Sequence, residues 1–166
     1  MRMKLICLLC SAVFLAITPV HGKKTGIRLS VDKNSSNEDE EMAKGSFMVA
    51  SQCEDCNNGY RIDQVMLSGY DKPRRSSVET FFITNNTDRH MTGLNLYIEY
   101  LTPDGRQLHK RYVRLICDIP PGERRLAEVS SWDRQKSFYF EKSEAPKSGG
   151  SPYTVIFDPV AFYLRF

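Results

Sequence analysis

From Val78 to Val129, runs of apolar-rich sequence of strand length are cut by turn-forming residues at TNNTD, TPDG and IPPGE. In the run Leu94–Leu101, Leu94, Leu96, Ile98 and Tyr100 fall on one side and Asn95, Tyr97 and Glu99 on the other. That period of two is the mark of a half-buried strand. Val78–Thr84 is apolar on both faces in its middle, as expected of a strand inside a packed sheet. In Gln107–Cys117, Val113, Leu115 and Cys117 share one face while Lys110, Tyr112 and Arg114 share the other. Pro103-Asp104-Gly105 fits a type I turn closed by a left-handed glycine, and Pro121-Gly122 the central pair of a type II turn. The pattern predicts an antiparallel meander through Val78–Val129.

The flanks carry the same period. Phe47–Ala50 and Tyr60–Gly69 read as strands, separated by Cys53-Glu54-Asp55-Cys56 and an Asn57-Asn58-Gly59 turn. Tyr70–Ser77 reads as a charged, exposed loop. Ser130–Gln135 forms a bend or a single helical turn and Ser137–Phe140 a strand; Ala145–Ser151 is a flexible loop. Tyr153–Phe157 and Phe162–Phe166 are the closing strands, the second with Phe162, Leu164 and Phe166 inward. Outside the first residues, no stretch of ten or more keeps a helical period. The fold expected is all-β: an antiparallel, Ig-like β-sandwich of about 8–10 strands.

The beginning of the chain is different. Arg2 and Lys4 precede an apolar run from Leu5 to Ile17, and Val20-His21-Gly22 supplies residues tolerated at a cleavage site. This is the layout of a signal peptide over residues 1–22, shorter than the ~20 apolar residues that a membrane span requires. Lys23–Gly45 forms a flexible polar and acidic segment. Within it Ile27–Val31 alternates as a short strand, and Asn34–Glu41 has nothing to bury. The sandwich domain then occupies residues 46–166. The expected address is the periplasm, the cell surface or the medium, with no integral membrane segment after cleavage.

Charge adds little to this picture. Without Arg2 and Lys4, the 23 Lys+Arg become 21 against 20 Asp+Glu. So even a balance argues against nucleic acid as the partner. Locally, Gly105–Arg125 is basic; it suits an acidic partner or a solvated edge strand, where cations discourage sheet-to-sheet pairing.

Candidate chemistry begins with Cys53 and Cys56. A C-x-x-C pair serves as a redox dithiol when it opens a helix. Here a turn follows it, and Glu54 and Asp55 would raise the thiol pKa. As zinc ligands the two would need partners from Cys117, His90 and His109 on the distant strands. A disulfide is the structural alternative. Chain entropy assigns ~2 kcal/mol to a Cys53–Cys56 bridge and ~4 to a bridge from either to Cys117, which favours the long one on stability alone. Trp132, with Arg134 and Lys136 beside it and Arg111 from the basic stretch, forms a candidate ligand contact; core packing is the other reading of the indole. Asp88, Asp104 and Asp118 each sit at a turn, where capping accounts for them. No catalytic residue, metal site or cofactor is assigned.

The Asn-rich turn, the strand Leu94–Tyr100, the Asp104-Gly105 hairpin and the Pro121-Gly122-Glu123 turn together resemble the FxLYD-type domain of bacterial secreted proteins, which implies an Ig-like sandwich. Over more of the chain, the runs GYDK, VETFF, GRQLHKR, CDIPPGE and SWDRQKSFYF resemble small signal-bearing proteins of unknown function from Gram-negative gut anaerobes. That resemblance implies export and carries no activity. The functional expectation is an exported, non-catalytic interaction module for an unknown protein or glycan, its contacts on the loops at Tyr70–Ser77 and Ala145–Ser151. The alternative is an envelope thiol or metal protein using Cys53 and Cys56.

Overall fold

The computed structural model describes residues 45–166. The signal-peptide and acidic-segment expectations, Ile27–Val31 included, lie outside the described residues.

Alternation builds two antiparallel sheets that pack face to face as a β-sandwich. Eight strands are described: β1 (Ser46–Ala50), β2 (Val65–Asp71), β3 (Val78–Asn85), β4 (Met91–Leu101), β5 (Gln107–Ile119), β6 (Arg124–Ser130), β7 (Phe138–Phe140) and β8 (Ser151–Arg165). A short 3-10 turn, Ile62–Gln64, precedes β2. One sheet has the order β1-β8-β4-β5, with β7 joining β8 in parallel; the other is β2-β3-β6. Among the described residues no helix is long and apolar enough to cross a membrane.

The meander expected through Val78–Val129 is not formed. Only β4 and β5 are hairpin neighbours; β3 and β6 leave that sheet and pair with each other. The faces of β4 and β5 are as the pattern implied, but β4 begins at Met91 and not at Leu94, and β5 runs on past Cys117 to Ile119. What alternation cannot specify is which sheet each strand joins. Both crossings are gathered by one buried side chain. Asn85 Nδ2 donates to the carbonyls of Arg89 (2.7 Å) and Ile119 (2.8 Å), and its Oδ1 accepts from Thr87 Oγ1 (2.7 Å).

The core lies between the sheets. Leu94, Leu96, Ile98 and Tyr100 of β4, with Val113, Leu115 and Cys117 of β5, face Phe81 and Ile83 of β3 and Ala127 and Val129 of β6, all buried. Three further expectations are corrected. β2 starts at Val65 and not at Tyr60, because Ile62–Gln64 coils, with the Gln64 side chain accepting from Arg61 N–H (2.9 Å). The two closing strands are one, β8, continuous through a bulge at Pro159–Ala161 that changes which parity faces inward. Past the last pairing of β8, Phe166 is 77% exposed and rests on Phe47 instead of entering the core.

Candidate functional site

The loops after β2, β6 and β7 meet at one end of the sandwich, over a layer of polar groups that the core would not tolerate unpaired. Glu79 lies on the inward face of β3 and is fully buried. Its Oε2 accepts from Tyr100 Oη (2.7 Å) and Arg111 Nη2 (3.0 Å), and its Oε1 from Trp132 N–H (3.0 Å). Arg111 also donates to Tyr100 Oη (2.9 Å) and to the Ser130 carbonyl (2.7 Å). Beside this set, Tyr70 and Tyr153 share a hydrogen bond of 2.6 Å. Burial first, and then the nearby Glu79 carboxylate, push the phenols of Tyr70 and Tyr100 far above their ordinary range; burial alone leads for Tyr153.

Next to it sits a second buried pair. Lys72, expected on an exposed loop, has no exposed surface. Its Nζ donates to Asp133 Oδ2 (3.0 Å) and to the carbonyl of Phe138 (2.7 Å), so the charge is paired and hydrogen-bonded. Burial opposes ionisation of Asp133, but hydrogen bonds from the Phe138 N–H (2.7 Å), Lys72 and the Ser137 backbone outweigh it and hold the carboxyl below its usual range.

Above this base the two loops noted separately in the sequence come together. The first starts at Lys72 and not at Tyr70, because Tyr70 and Asp71 belong to β2 and the Tyr70 ring is buried; the second ends before Ser151, where β8 begins. Between them is a cleft of about 350 Å³ lined by Pro73, Arg74, Arg75 and Glu144 to Ser148. Arg74 spans it, donating Nε to the Lys136 carbonyl (3.2 Å) and Nη1 to the Ser148 carbonyl. Gly149 and Gly150 have positive φ, and a Cβ on Gly150 would stand 2.9 Å from Arg74 Cδ. The glycines therefore allow the loop to close on the guanidinium. Arg75 and Lys147 are exposed. With Arg74 they set three cations against the single carboxylate of Glu144.

Of the candidate contacts, Arg134 and Lys136 are exposed on the β6–β7 loop, and Lys136 takes a positive φ of 56°. Trp132 packs on Tyr100, Phe138, His109 and Tyr153 with ring centroids 5.0–5.8 Å apart. Arg111 is engaged by Glu79. Trp132 and Arg111 thus belong to the base beneath the loops, while Arg134 and Lys136 belong to the rim. Arg75 and Lys147 were not singled out from sequence; only the meeting of two loops about seventy residues apart identifies them.

The cysteines pair locally. Cys53 and Cys56 form a disulfide with Cα atoms 5.6 Å apart, and Cys117 is free and buried. The long bridge favoured by chain entropy is overruled by geometry. Cys53 follows β1 at one edge of its sheet and Cys117 lies on β5 at the other, with β8 and β4 between. Three strand spacings amount to ~14 Å, twice the reach of a disulfide. Burial, with Asp118 adding to it, pushes the Cys117 thiol up to about 12. Asn57 closes the disulfide loop onto β1, its Oδ1 accepting from Ala50 N–H (2.9 Å) and its Nδ2 donating to Ala50 C=O (2.8 Å). His90 pairs with Asp118 (3.2 Å) and His109 stacks on Trp132, so these side chains are held apart from the disulfide.

No family model, no curated protein and no solved structure matches this chain.

Proposed function

We propose that the protein is an exported, non-catalytic binding module that holds a carboxylate-bearing ligand between the Pro73–Arg75 and Glu144–Ser148 segments. The observation that carries this reading is the division of labour among the cleft cations. Arg74 is spent on backbone carbonyls and shapes the walls. Arg75 and Lys147 make no ion pair among the described residues and stand at the rim, with Arg134 and Lys136 on the neighbouring loop. A basic concavity on loops fixed to a rigid frame is how a sandwich presents a binding surface. Export is supported by the N-terminal sequence and by the Cys53–Cys56 bridge, since disulfides persist outside reducing compartments. An Ig-like class is supported by the hairpin β4–β5 sitting between the sheet-crossing connections β3–β4 and β5–β6.

The test uses trigalacturonate and hexaglutamate as probes, followed by shifts of backbone amide resonances. Binding of either should perturb the amides of Arg74, Arg75, Glu144, Ala145, Lys147 and Ser148 and vanish in Arg75→Glu/Lys147→Glu with the melting temperature unchanged. If neither probe perturbs those amides, or the charge reversal leaves the perturbation intact, the cleft is not the binding site.

A further inference from the structure

The side of β8 that faces away from β4 is covered at its two ends and open in the middle. β1 pairs with Ala161–Arg165, and Ser51 N–H donates to the Val160 carbonyl (2.7 Å). β7 pairs with Ser151–Tyr153, and Glu141 N–H donates to the Tyr153 carbonyl (2.9 Å). Residues 154–159 have no strand partner on that side among the described residues. Backbone polar groups alternate along a strand. The N–H and C=O of Val155 and Phe157 therefore point the same way as the Tyr153 carbonyl, into the opening. Across it runs β2, the edge strand of the other sheet. Between the two edges lies a groove of about 530 Å³, floored by Ile62, Val65, Leu67 and Phe157 and rimmed by Asp63 and Asp158.

Such a groove has the shape of one missing strand. Its backbone ladder is unpaired, its floor accepts every second side chain, and its rim favours a cation; these are the requirements of strand addition. Asp63 already has Arg61 beside it, whereas Asp158 makes no ion pair among the described residues. One stretch of the chain outside the described residues carries the matching pattern. In Lys23–Val31, Ile27, Leu29 and Val31 alternate with Arg28 and Ser30, behind Lys23 and Lys24. Reach is sufficient. The connector Asp32–Lys44 extends to roughly 45 Å. The distance along β8 from the start of β1 to the opening is about 25 Å at the rise of a strand.

We propose that Ile27–Val31 of the same chain docks in this groove as an extended strand beside β8, with Ile27, Leu29 and Val31 over the apolar floor and a basic side chain toward Asp158. The site shares no residue with the loop cleft, so neither proposal rests on the other.

Amide hydrogen exchange in the intact chain tests it. Val155 and Phe157 should exchange slowly, at a rate independent of protein concentration. Leu29→Asp should accelerate both by about tenfold or more while the amides of Leu94 and Leu96 report an intact core. Ser30→Asp, on the other face of the segment, should leave the protection in place. Rapid exchange at Val155 and Phe157 in the unmodified chain overturns the proposal, as does protection that survives Leu29→Asp. Protection that fades on dilution overturns it too, because the strand would then come from a second copy.

Discussion

Lys72 and Asp133 meet 3.0 Å apart with both side chains withdrawn from solvent, one just past β2 and the other between β6 and β7. Because the Lys72 ammonium also bonds the Phe138 carbonyl, and Asp133 accepts from the Phe138 N–H, the pair fastens three segments at once. It fixes the level from which the cleft loops depart.

Removing one member of this pair should be costly. Lys72→Met leaves Asp133 buried without its cation, and the expected loss is about 3–5 kcal/mol by urea unfolding. The double variant Lys72→Met/Asp133→Leu should recover part of that loss, because no lone charge then remains. An additive double variant would show that the two side chains act separately.

The pH dependence follows from the direction of the Asp133 shift. Its folded pKa is depressed, so its contribution to stability is present above the unfolded value of ~3.9 and is lost as pH falls through the folded value. Acid titration of unfolding free energy should show this loss below about pH 4, and Asp133→Asn should reduce it.

The strands were legible because alternation is written locally: the faces of β4 and β5 follow directly from the positions of Leu94 to Tyr100 and Val113 to Cys117. Sheet membership was not, since nothing within β3 says that Phe81 pairs with Ala127 and not with a residue of β4. The buried charges were hidden for the same reason. Lys72 and Glu79 look like surface residues in sequence, and the partners that make their burial tolerable, Asp133 and Arg111, lie on other elements. The two cleft loops could be picked out singly by their Pro, Gly and Ser content, but not their contact.

The cysteines give a thiol prediction. Protein beginning at Lys23 should show no rapidly reacting thiol when native and one when unfolded, by titration with an aromatic disulfide. The folded pKa of Cys117 is raised to about 12, so its contribution is complete below the unfolded value of ~8.5 and is lost as pH rises toward 12. Cys117→Ser should flatten stability in that alkaline range.

Loss of the disulfide should matter little. It closes a short loop that Asn57 already ties to Ala50 at two points. Cys53→Ser/Cys56→Ser should lower stability by about 2 kcal/mol or less. A collapse of folding would mean that the bridge constrains far more than its own loop.

Gly69 makes the sharpest case for a single residue. It sits in the irregularity between Ser68 and Asp71, where the register of β2 against β3 shifts, and its φ is +61°. An L side chain resists that conformation on its own account, at roughly 1–2 kcal/mol. Space is closed as well, because a Cβ would stand 2.9 Å from Cδ2 of Phe82 and 3.4 Å from Nη2 of Arg124. Phe82 cannot turn aside freely, since the Arg124 guanidinium lies over its ring at 3.9 Å. The bulge also sets the phase of β2 and so decides that Tyr70 enters the core to meet Tyr153. Gly69→Ala should therefore cost about 2–4 kcal/mol in urea unfolding, the backbone strain and the steric clash acting together. Phe82→Ala in the same background should return part of the loss by opening the space, while the strain in φ persists. Recovery of the whole loss would show that crowding, and not the backbone, makes glycine necessary there.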